Sequence, residues 1–372
     1  MLVRKVKELP GGSLLVGTLP LGCKFCARGS KMVLFVTGSC NSSCYYCPIS
    51  ENRTKPDAIF ADEMPVTNDD DVLFEVDAIQ GEGAGISGGD PLCTLKRTLH
   101  YISLLKQTYG QDFHIHLYTS KTTITHDELT QLIDAGLDEI RFHPQNDDWS
   151  GIEEALSLGL RVGIEVPAIP GKAAKLEETA QRAEELGVSF LNINELEASE
   201  TNFENLKVLG MRLTDLSSAS IEGSEETARQ VLDWAWMHLK KLTVHFCSAR
   251  YKDGVQLRNR LERRLEQTIR EFEERDESDP LLIVGIIRAP SGRSLNMPQL
   301  KRIFHILQDR LELDESDLNI DTKRMRIELA PWILDERRDA IRNSLREFGV
   351  LEIGISYEYP SWDRLQTLFE PI

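Results

Sequence analysis

The sequence contains 372 residues, of which 41% are hydrophobic and 28% are charged. Its 60 acidic residues against 43 lysines and arginines give a formal net charge of −17, which argues against a broadly basic nucleic-acid-binding surface. Neither a membrane-spanning apolar run nor the apolar segment of a signal peptide is visible, so we expect a cytoplasmic protein with no membrane partner.

The cysteines are the first unusual feature along the chain. There are seven, and five of them fall between positions 23 and 47. An odd number, clustered in a chain without a secretory signal, indicates metal ligation in a reducing compartment rather than disulfide bonds.

Short apolar runs alternate with amphipathic stretches from about residue 32 to residue 247. This pattern predicts strands at 32–37, 84–87, 113–119, 139–143, 161–166, 190–194 and 242–247, with helices at 95–108, 125–135, 176–186 and 225–240. Such alternation is typical of a parallel α/β sheet. Polar residues follow several of the strands, where barrel enzymes place their chemistry, so we expect a partial or full (β/α) barrel.

The remaining residues predict a second domain. A strand, a helix, two short strands, a helix and a last strand follow one another between residues 281 and 358, which is the ferredoxin-like α+β order. We therefore expect an N-terminal extension with a CxxC metal hook at 1–31, a barrel at 32–256, a helical linker at 257–280, and a C-terminal domain at 281–372.

Cys40, Cys44 and Cys47 follow the first predicted barrel strand directly. Three thiolates at CxxxCxxC spacing can hold three irons of a 4Fe–4S cluster and leave the fourth iron open to a small ligand. The alternatives are a zinc knuckle that lacks one ligand, or ordinary buried cysteines. Tyr46 places an aromatic ring beside the last cysteine, where it could stack on a purine, shield the cluster or simply pack.

The turn Gly88-Gly89-Asp90-Pro91 follows the second predicted strand. Paired glycines allow a close approach of the backbone to a ligand, and Asp90 adds a carboxylate that can pair with an ammonium group. Alone, this tetrapeptide is no more than a turn. Its position downstream of CxxxCxxC makes it informative.

On these two motifs the sequence resembles the radical S-adenosylmethionine (SAM) superfamily, over roughly residues 32–247. The resemblance implies an enzyme that binds a 4Fe–4S cluster, cleaves SAM reductively to a 5′-deoxyadenosyl radical and abstracts hydrogen from a substrate. It implies that the open iron chelates the methionine part of SAM, that Gly88, Gly89 and Asp90 contact its ammonium group, and that Tyr46 lies near the adenine. Members commonly have Glu where this chain has Asp90.

Three further residues are weaker candidates for SAM binding. Thr119 and Ser120 end the third predicted strand, where their hydroxyls could meet the methionine carboxylate, and Glu165 ends another, where it could bond the ribose. Turn, capping and solvated roles are the alternatives for these three. His143 and Asn194 could line the substrate cavity.

A closer resemblance is to a mainly archaeal, poorly characterised group related to pyruvate formate-lyase activating enzymes. It rests on residues 22–31 leading into 34–38, and on residues 244–248 followed by 251–253. This likeness leaves the substrate open.

Cys23 and Cys26 form a CxxC pair, and His245 and Cys247 share one face of the last predicted strand. If this strand neighbours the first, all four converge on a second site for zinc or an auxiliary iron–sulfur cluster. The alternative is a buried core thiol at Cys247 and a solvent-side pair. We expect Cys93 to be a core thiol.

The functional expectation is a radical SAM enzyme acting on a macromolecule or a dedicated metabolite, with a ferredoxin- or flavodoxin-type reductant as its partner. Acidity disfavours nucleic acid as the substrate. The alternative is a non-catalytic iron–sulfur or zinc protein, an electron carrier or structural module that uses the same cysteines.

Overall fold

The computed structural model describes residues 5–54, 57–216 and 218–372 and divides the chain into two compact units, Met1–Arg260 and Leu261–Ile372. The division falls within a helix, Arg258–Thr268, and not in an extended linker. The reason is that Leu261 and Leu265, four residues apart, are both buried, so this segment packs as part of the fold.

The first unit is built around one large sheet. Its strands are β1 (Lys7–Glu8), β2 (Leu14–Val16), β3 (Lys31–Phe35), β4 (Phe60–Ala61), β5 (Met64–Pro65), β6 (Gly83–Ser87), β7 (His114–Thr119), β8 (Glu139–Phe142), β9 (Arg161–Ala168), β10 (Phe190–Glu195) and β11 (Thr243–Cys247).

Helices connect most of these strands. They are α1 (Leu21–Ala27), α2 (Glu51–Thr54), α3 (Asp69–Ala78), α4 (Leu95–Tyr109), α5 (His126–Ala135), α6 (Ser150–Ser157), α7 (Ala173–Leu186), α8 (Phe203–Val208), α9 (Ser224–His238), α10 (Ala249–Tyr251) and α11 (Arg258–Thr268), the last two joined by a π-helical turn, Lys252–Leu257. Thr125 and Glu128 form a capping box at the start of α5, and Gly136 ends the helix in a left-handed conformation.

The strand order is β1-β2-β11-β10-β9-β8-β7-β6-β3-β4-β5. Strands β3 and β6 to β11 run parallel, while β2 pairs antiparallel with β11 and β4 pairs antiparallel with β3. Within the described residues no pairing joins β11 to β3, so the sheet is an unclosed, partial barrel. The condition on which the convergence of the second metal site depended, that the first and last parallel strands are neighbours, is not met, because β2 occupies the free edge of β11.

The two faces of the parallel strands differ sharply. Side chains such as Ile115 and Leu117 belong to the apolar core under the helices. The alternate positions face the inside of the barrel, which we call the lumen, and are largely polar: His114, His116, Tyr118, Glu139, Arg141, Glu165, Asn192 and His245. Period-two alternation along each strand thus separates a dry core from a polar lumen.

Helix α1 lies against the lumen side chains. A Cβ atom on Gly22 would be 2.7 Å from Arg141 Nη2 and from His116 Nδ1, so only glycine allows this approach. Cys23 Sγ on the same helix accepts a hydrogen bond from Arg141 Nη1 at 3.6 Å. The N-terminal segment is therefore an integral part of the barrel.

The second unit has the predicted ferredoxin-like fold. Its elements are β12 (Glu274–Arg275), β13 (Leu282–Arg288), α12 (Met297–Leu311), β14 (Leu318–Asp321), β15 (Arg326–Leu329), α13 (Pro331–Ser344), β16 (Glu352–Glu358) and β17 (Gln366–Pro371). The antiparallel sheet has the order β14-β15-β13-β16, extended at one edge by β17, and β12 pairs with β13.

A buried ionic network crosses this sheet. Arg326 donates to Glu328 and Glu358, and Arg270 donates to Glu328. Burial opposes ionisation of Glu328, but the hydrogen bond from Arg270 and the charge of Arg326 outweigh it and lower its pKa to about 2.

Among the helices of the described chain, none combines the length and apolar character that a bilayer crossing requires.

Candidate functional site

A cavity of about 710 Å³ lies where the parallel strands of the first unit reach their carboxyl ends. Its wall brings together nine residues predicted from the sequence: Cys40, Cys44, Tyr46, Cys47, Gly88, Gly89, Thr119, Ser120 and Glu165. His143 and Asn194 also line it. The chemistry-bearing residues thus meet at the end of the barrel where barrel enzymes bind their substrates.

The cysteine loop, residues 36–50, follows β3. Cys40 and Cys47 are exposed and Cys44 is half-buried, and all three face the cavity. Burial raises the pKa of the Cys44 thiol, and the neighbouring Cys47 and Cys40 raise it further, so the three thiols are close enough to repel one another when ionised. Ser42 N donates to Cys40 Sγ at 3.3 Å.

This donor set fits a cubane cluster. Thiolates are the ligands of 4Fe–4S clusters, and a backbone N–H to a ligand sulfur is a feature that tunes their potential. The cavity wall, as far as the structure describes it, contains three cysteines and no fourth. The residues present therefore suit a cluster held by three thiolates.

The Gly88–Gly89 turn is packed against this loop. Gly89 N donates to Thr37 O at 2.8 Å and Asp90 N donates to Ser39 O at 2.7 Å. A Cβ atom on Gly88 would lie 2.5 Å from Thr37 O, and one on Gly89 would lie 2.4 Å from Ser39 O. The glycines are needed because two backbone segments meet here, a reason that the sequence did not reveal.

The Asp90 carboxylate is engaged by hydrogen bonds within the protein. Its side chain is 3% exposed and lies outside the cavity wall. Its carboxylate accepts hydrogen bonds from Leu92 N, Thr119 Oγ1, Ser120 N and Ser120 Oγ, at 2.8–3.1 Å. This geometry therefore does not favour a direct contact between Asp90 and the ammonium group of a ligand. The carboxylate instead fixes Thr119 and Ser120, which do line the cavity.

Ser120 connects this network to the cysteine loop. Because its hydroxyl hydrogen is donated to Asp90, it accepts from Ser42 Oγ, which lies 2.9 Å away. A continuous line of hydrogen bonds thus leads from the buried Asp90 to a residue between Cys40 and Cys44.

Tyr46 is held by a second chain of hydrogen bonds. His143 Nδ1 lies 2.7 Å from the backbone oxygen of Glu165, which can only accept, so Nδ1 carries the ring proton. Burial lowers the pKa of His143, so Nε2 is unprotonated and accepts from the Tyr46 hydroxyl at 2.8 Å. Gln145 Nε2 donates to the same hydroxyl at 3.3 Å. The tyrosine ring is therefore fixed against the cavity wall.

The lumen end of the cavity carries an ionic cluster. Arg141 donates to Glu165 at 3.0 Å and to Glu139 at 2.7 Å, and Asn194 donates to Glu165 at 3.0 Å. Burial opposes ionisation of Glu165, but the charge of Arg141 and the bond from Asn194 outweigh it and lower its pKa. Arg141 was missed in the sequence. The signal was its position in β8, two residues after Glu139 and on the same face.

Lys252 lines the opposite side of the cavity and is ion-paired with Glu197. The backbone oxygens of Glu197 and Tyr46 both accept from Asn202 Nδ2 at 3.0 Å. The segment that follows β10 thereby braces the cysteine loop.

The residues predicted for a second metal site lie apart from the cavity wall. Gln256 links two of them, accepting from Cys26 Sγ at 3.2 Å and donating to Cys247 Sγ at 3.4 Å, while His245 Nδ1 pairs with Asn192 Oδ1 at 2.6 Å. Burial raises the pKa of Cys23 to about 11 and that of Cys247 to about 12. Cys23, Cys26, His245 and Cys247 remain a predicted site.

Cys93 is exposed, so the expectation of a core thiol is wrong. It lies in the single 3₁₀ turn Pro91–Thr94, where Pro91 and Leu92 are the buried positions. In a turn with three residues per repeat, the next side chain points away from them.

The comparisons with known proteins identify the family of this chain. Residues 34–150 match the family model described as the radical SAM superfamily. A protein of Methanocaldococcus jannaschii, whose provisional name is glycyl-radical enzyme activating enzyme, is 36% identical over 363 residues, which cover 94% of this chain and 91% of that protein. The chain belongs to the radical SAM superfamily and is an enzyme of this class.

Solved structures with some similarity come from the same superfamily. The tryptophan-bound methyltransferase TsrM of Kitasatospora setae is 12% identical with a TM-score of 0.35, covering 56% of this chain and 47% of that one. Coproporphyrinogen III oxidase of Escherichia coli is 15% identical with a TM-score of 0.35, covering 53% and 50%. The chain thus spans about half of each of these structures.

Proposed function

We propose that this protein binds a 4Fe–4S cluster through Cys40, Cys44 and Cys47, cleaves SAM reductively, and abstracts a hydrogen atom from its substrate. The observation that carries the proposal is the convergence of three thiols, the Gly88–Gly89 turn and the Thr119–Ser120 hydroxyls on one cavity. An electron carrier or a structural zinc module needs the cysteines but not a cavity of this size with a second polar wall.

The cluster supplies one electron, which converts SAM to methionine and a 5′-deoxyadenosyl radical that takes a hydrogen atom from the substrate. In our proposal the backbone of Gly88 and Gly89 faces the ammonium group of the methionine moiety, and the Thr119 and Ser120 hydroxyls face its carboxylate. Asp90 acts as a positioning residue, because its hydrogen bonds orient both hydroxyls.

The adenosine half is assigned to the wall opposite this one. The Tyr46 ring, fixed by His143 and Gln145, offers a flat surface to the adenine. The Glu165 carboxylate is ionised and can accept from a ribose hydroxyl, although it must share its oxygens with Arg141 and Asn194.

The substrate is proposed to be a glycyl site on a partner protein. This assignment comes from the name of the M. jannaschii relative, whose similarity extends over nearly the whole chain. The partner that reduces the cluster is proposed to be of ferredoxin or flavodoxin type. The net charge of −17 weighs against a nucleic-acid substrate.

The test is anaerobic reconstitution with iron and sulfide, followed by SAM and a reductant. We expect 5′-deoxyadenosine and methionine in equal amounts from the native sequence, and none from the Cys44→Ala variant, whose matched control is Cys93→Ala outside the cavity. A fully loaded cluster that yields no 5′-deoxyadenosine would contradict the proposal and favour the electron carrier.

The second metal site is a separate prediction. Elemental analysis of the Cys40→Ala, Cys44→Ala, Cys47→Ala triple variant tests it. One equivalent of zinc or iron that is lost when Cys23 and Cys26 are also replaced would support ligation there, whereas a metal content that their replacement leaves unchanged would rule these cysteines out.

A further inference from the structure

A group of buried ligand-type side chains lies in the lumen, outside the cavity wall. His114 and His116 on β7 and Glu139 on β8 each place one ligand atom within 4.8 Å of those of the other two. All three side chains are buried. In the part of the chain that the structure describes, this is the one such group with three members.

The strand register explains why they meet. His116 and Glu139 are direct partners in the parallel pairing of β7 and β8. His114 precedes His116 by two residues and so faces the same side of the sheet. The cluster is therefore fixed by backbone hydrogen bonds on two adjacent strands, not by flexible loops.

The cluster has unused polar atoms. His114 Nδ1, His116 Nδ1 and Glu139 Oε2 are buried and have no hydrogen-bond partner. Glu139 Oε2 has ion-pair contacts only, with Arg161 Nε at 3.2 Å and with His114 Nε2 at 4.0 Å. Each buried polar atom left without a hydrogen bond costs about 1–3 kcal/mol, which a bound ligand could offset. One nitrogen from each imidazole and one carboxylate oxygen are acceptors for a cation.

The surrounding contacts resemble the outer shell of a metal site. Glu139 Oε1 accepts from Arg141 Nε at 2.7 Å, which orients the carboxylate and turns Oε2 toward His114 Nε2, 4.0 Å away. His116 Nε2 lies 3.1 Å from the Tyr118 hydroxyl, which leaves Nδ1 as the ligand atom. Ligating histidines are ordinarily held in this way through their second nitrogen.

We propose that His114, His116 and Glu139 bind one divalent zinc ion that ties β7 to β8 inside the barrel. Imidazole with a carboxylate suits zinc better than magnesium or calcium, which take oxygen ligands. Three protein ligands leave one tetrahedral position for water. Zinc–ligand bonds of about 2.0–2.1 Å in a tetrahedral site place the ligand atoms about 3.3 Å from one another. Rotation of the three side chains on their adjacent strands can bring the ligand atoms to this separation.

Arg161 competes with this ion. Its Nε lies 3.2 Å from Glu139 Oε2, and its side chain is 47% exposed, so it can withdraw into solvent. Removing its charge must therefore strengthen zinc binding, whereas removing a ligand must weaken it. Opposite responses from neighbouring positions are not expected of a merely structural cluster.

The experiment uses the full chain carrying Cys40→Ala, Cys44→Ala, Cys47→Ala, Cys23→Ser and Cys26→Ser, so that neither cysteine site competes for zinc, stripped of metal by a chelator. Zinc affinity is measured by competition with a chromophoric chelator. We expect one equivalent bound, at least about 100-fold weaker binding when His116→Gln or Glu139→Gln is added, and tighter binding when Arg161→Gln is added. Asp134→Asn, an exposed helical aspartate, is the control and leaves the affinity unchanged.

The absorption spectrum of bound cobalt(II) is a second readout. It can be recorded with His114, His116 and Glu139 unchanged, so it does not depend on the folding of the ligand variants. Bound to nitrogen and oxygen donors, cobalt(II) gives visible d–d bands without the near-ultraviolet charge-transfer bands of cobalt thiolates. Absence of stoichiometric binding in the chain that lacks the five cysteines, cobalt bands that His116→Gln and Glu139→Gln leave unchanged, or weaker binding in Arg161→Gln would each overturn the proposal. The outcome is independent of SAM cleavage, so failure here leaves the proposed function untouched.

Discussion

Replacing Asp90 with asparagine tests the idea that this carboxylate positions the cavity wall. The substitution keeps the shape of the side chain and removes its charge. The carboxylate accepts from four donors, two of which are the backbone N–H groups of Leu92 and Ser120. Asparagine has one acceptor oxygen, so one of these two N–H groups must face the amide nitrogen.

The cost follows from that mismatch. One buried N–H left unpaired costs about 1–3 kcal/mol, and hydrogen bonds that lose an ionised acceptor lose about 1 kcal/mol more. We therefore expect a loss of about 2–4 kcal/mol in the free energy of unfolding. For a unit of this size, that corresponds to a fall in Tm on the order of 5–15 °C.

Two measurements check this prediction: thermal unfolding of the cluster-free protein, and the yield of 5′-deoxyadenosine as a function of SAM concentration. We expect a higher KM for SAM in Asp90→Asn, because Thr119 and Ser120 lose their orientation. Asp134→Asn, an exposed helical aspartate in the same unit, is the matched control and should behave like the native protein. If the two variants are indistinguishable in Tm and KM, the positioning role is refuted.

Three further predictions follow. Tyr46→Phe removes the hydroxyl that bonds His143, so the KM for SAM should rise roughly 5-fold, about 1 kcal/mol, while the iron content stays unchanged; loss of iron would contradict it. Gly163→Ala puts a Cβ atom 2.1 Å from the buried Phe190 ring, so overpacking should lower stability by about 1–3 kcal/mol in denaturant titrations, and an unchanged midpoint would refute the contact. Glu328 has a pKa of about 2 in the folded protein and a higher pKa in the unfolded chain. Its ionisation therefore contributes on the order of 3 kcal/mol to the free energy of unfolding at pH values above the unfolded pKa. This contribution is lost as the pH falls toward 2. Denaturant unfolding followed from pH 5 to pH 2 should therefore show a shallower decline for Glu328→Gln, and parallel curves would contradict this.

The sequence was a good guide wherever a local pattern carries the information. Alternating apolar runs located the parallel strands, and the β-α-β-β-α-β order of the last hundred residues located the ferredoxin-like unit. The cysteine loop and the glycine turn were assigned to one end of the barrel because both follow strands. These features depend on spacing along the chain, which a single sequence displays directly.

What could not be predicted depends on contacts between distant segments. The sequence places Arg141 on the same strand face as Glu139, but only the register of β8 against β7 and β9 shows that this face is the lumen. The bonds of Asp90 to residues 29 and 30 positions away are equally invisible. The pairing of β2 with β11 escaped prediction because β2 is only three residues long, too short for a period-two pattern to stand out.

Helix α1 bears on which segment of this chain is the shortest that can fold. The family match begins at residue 34, yet Gly22 and Cys23 lie against Arg141 in the lumen, and β2 pairs with β11. A chain that began at the family match would lack α1, so the charged lumen side chains that α1 covers would be exposed. It would also lack β2, so the outer edge of β11 would be unpaired. The stretch that defines the superfamily and the stretch that folds are thus different lengths of chain, and expression of a minimal enzyme should keep the residues from β2 onward.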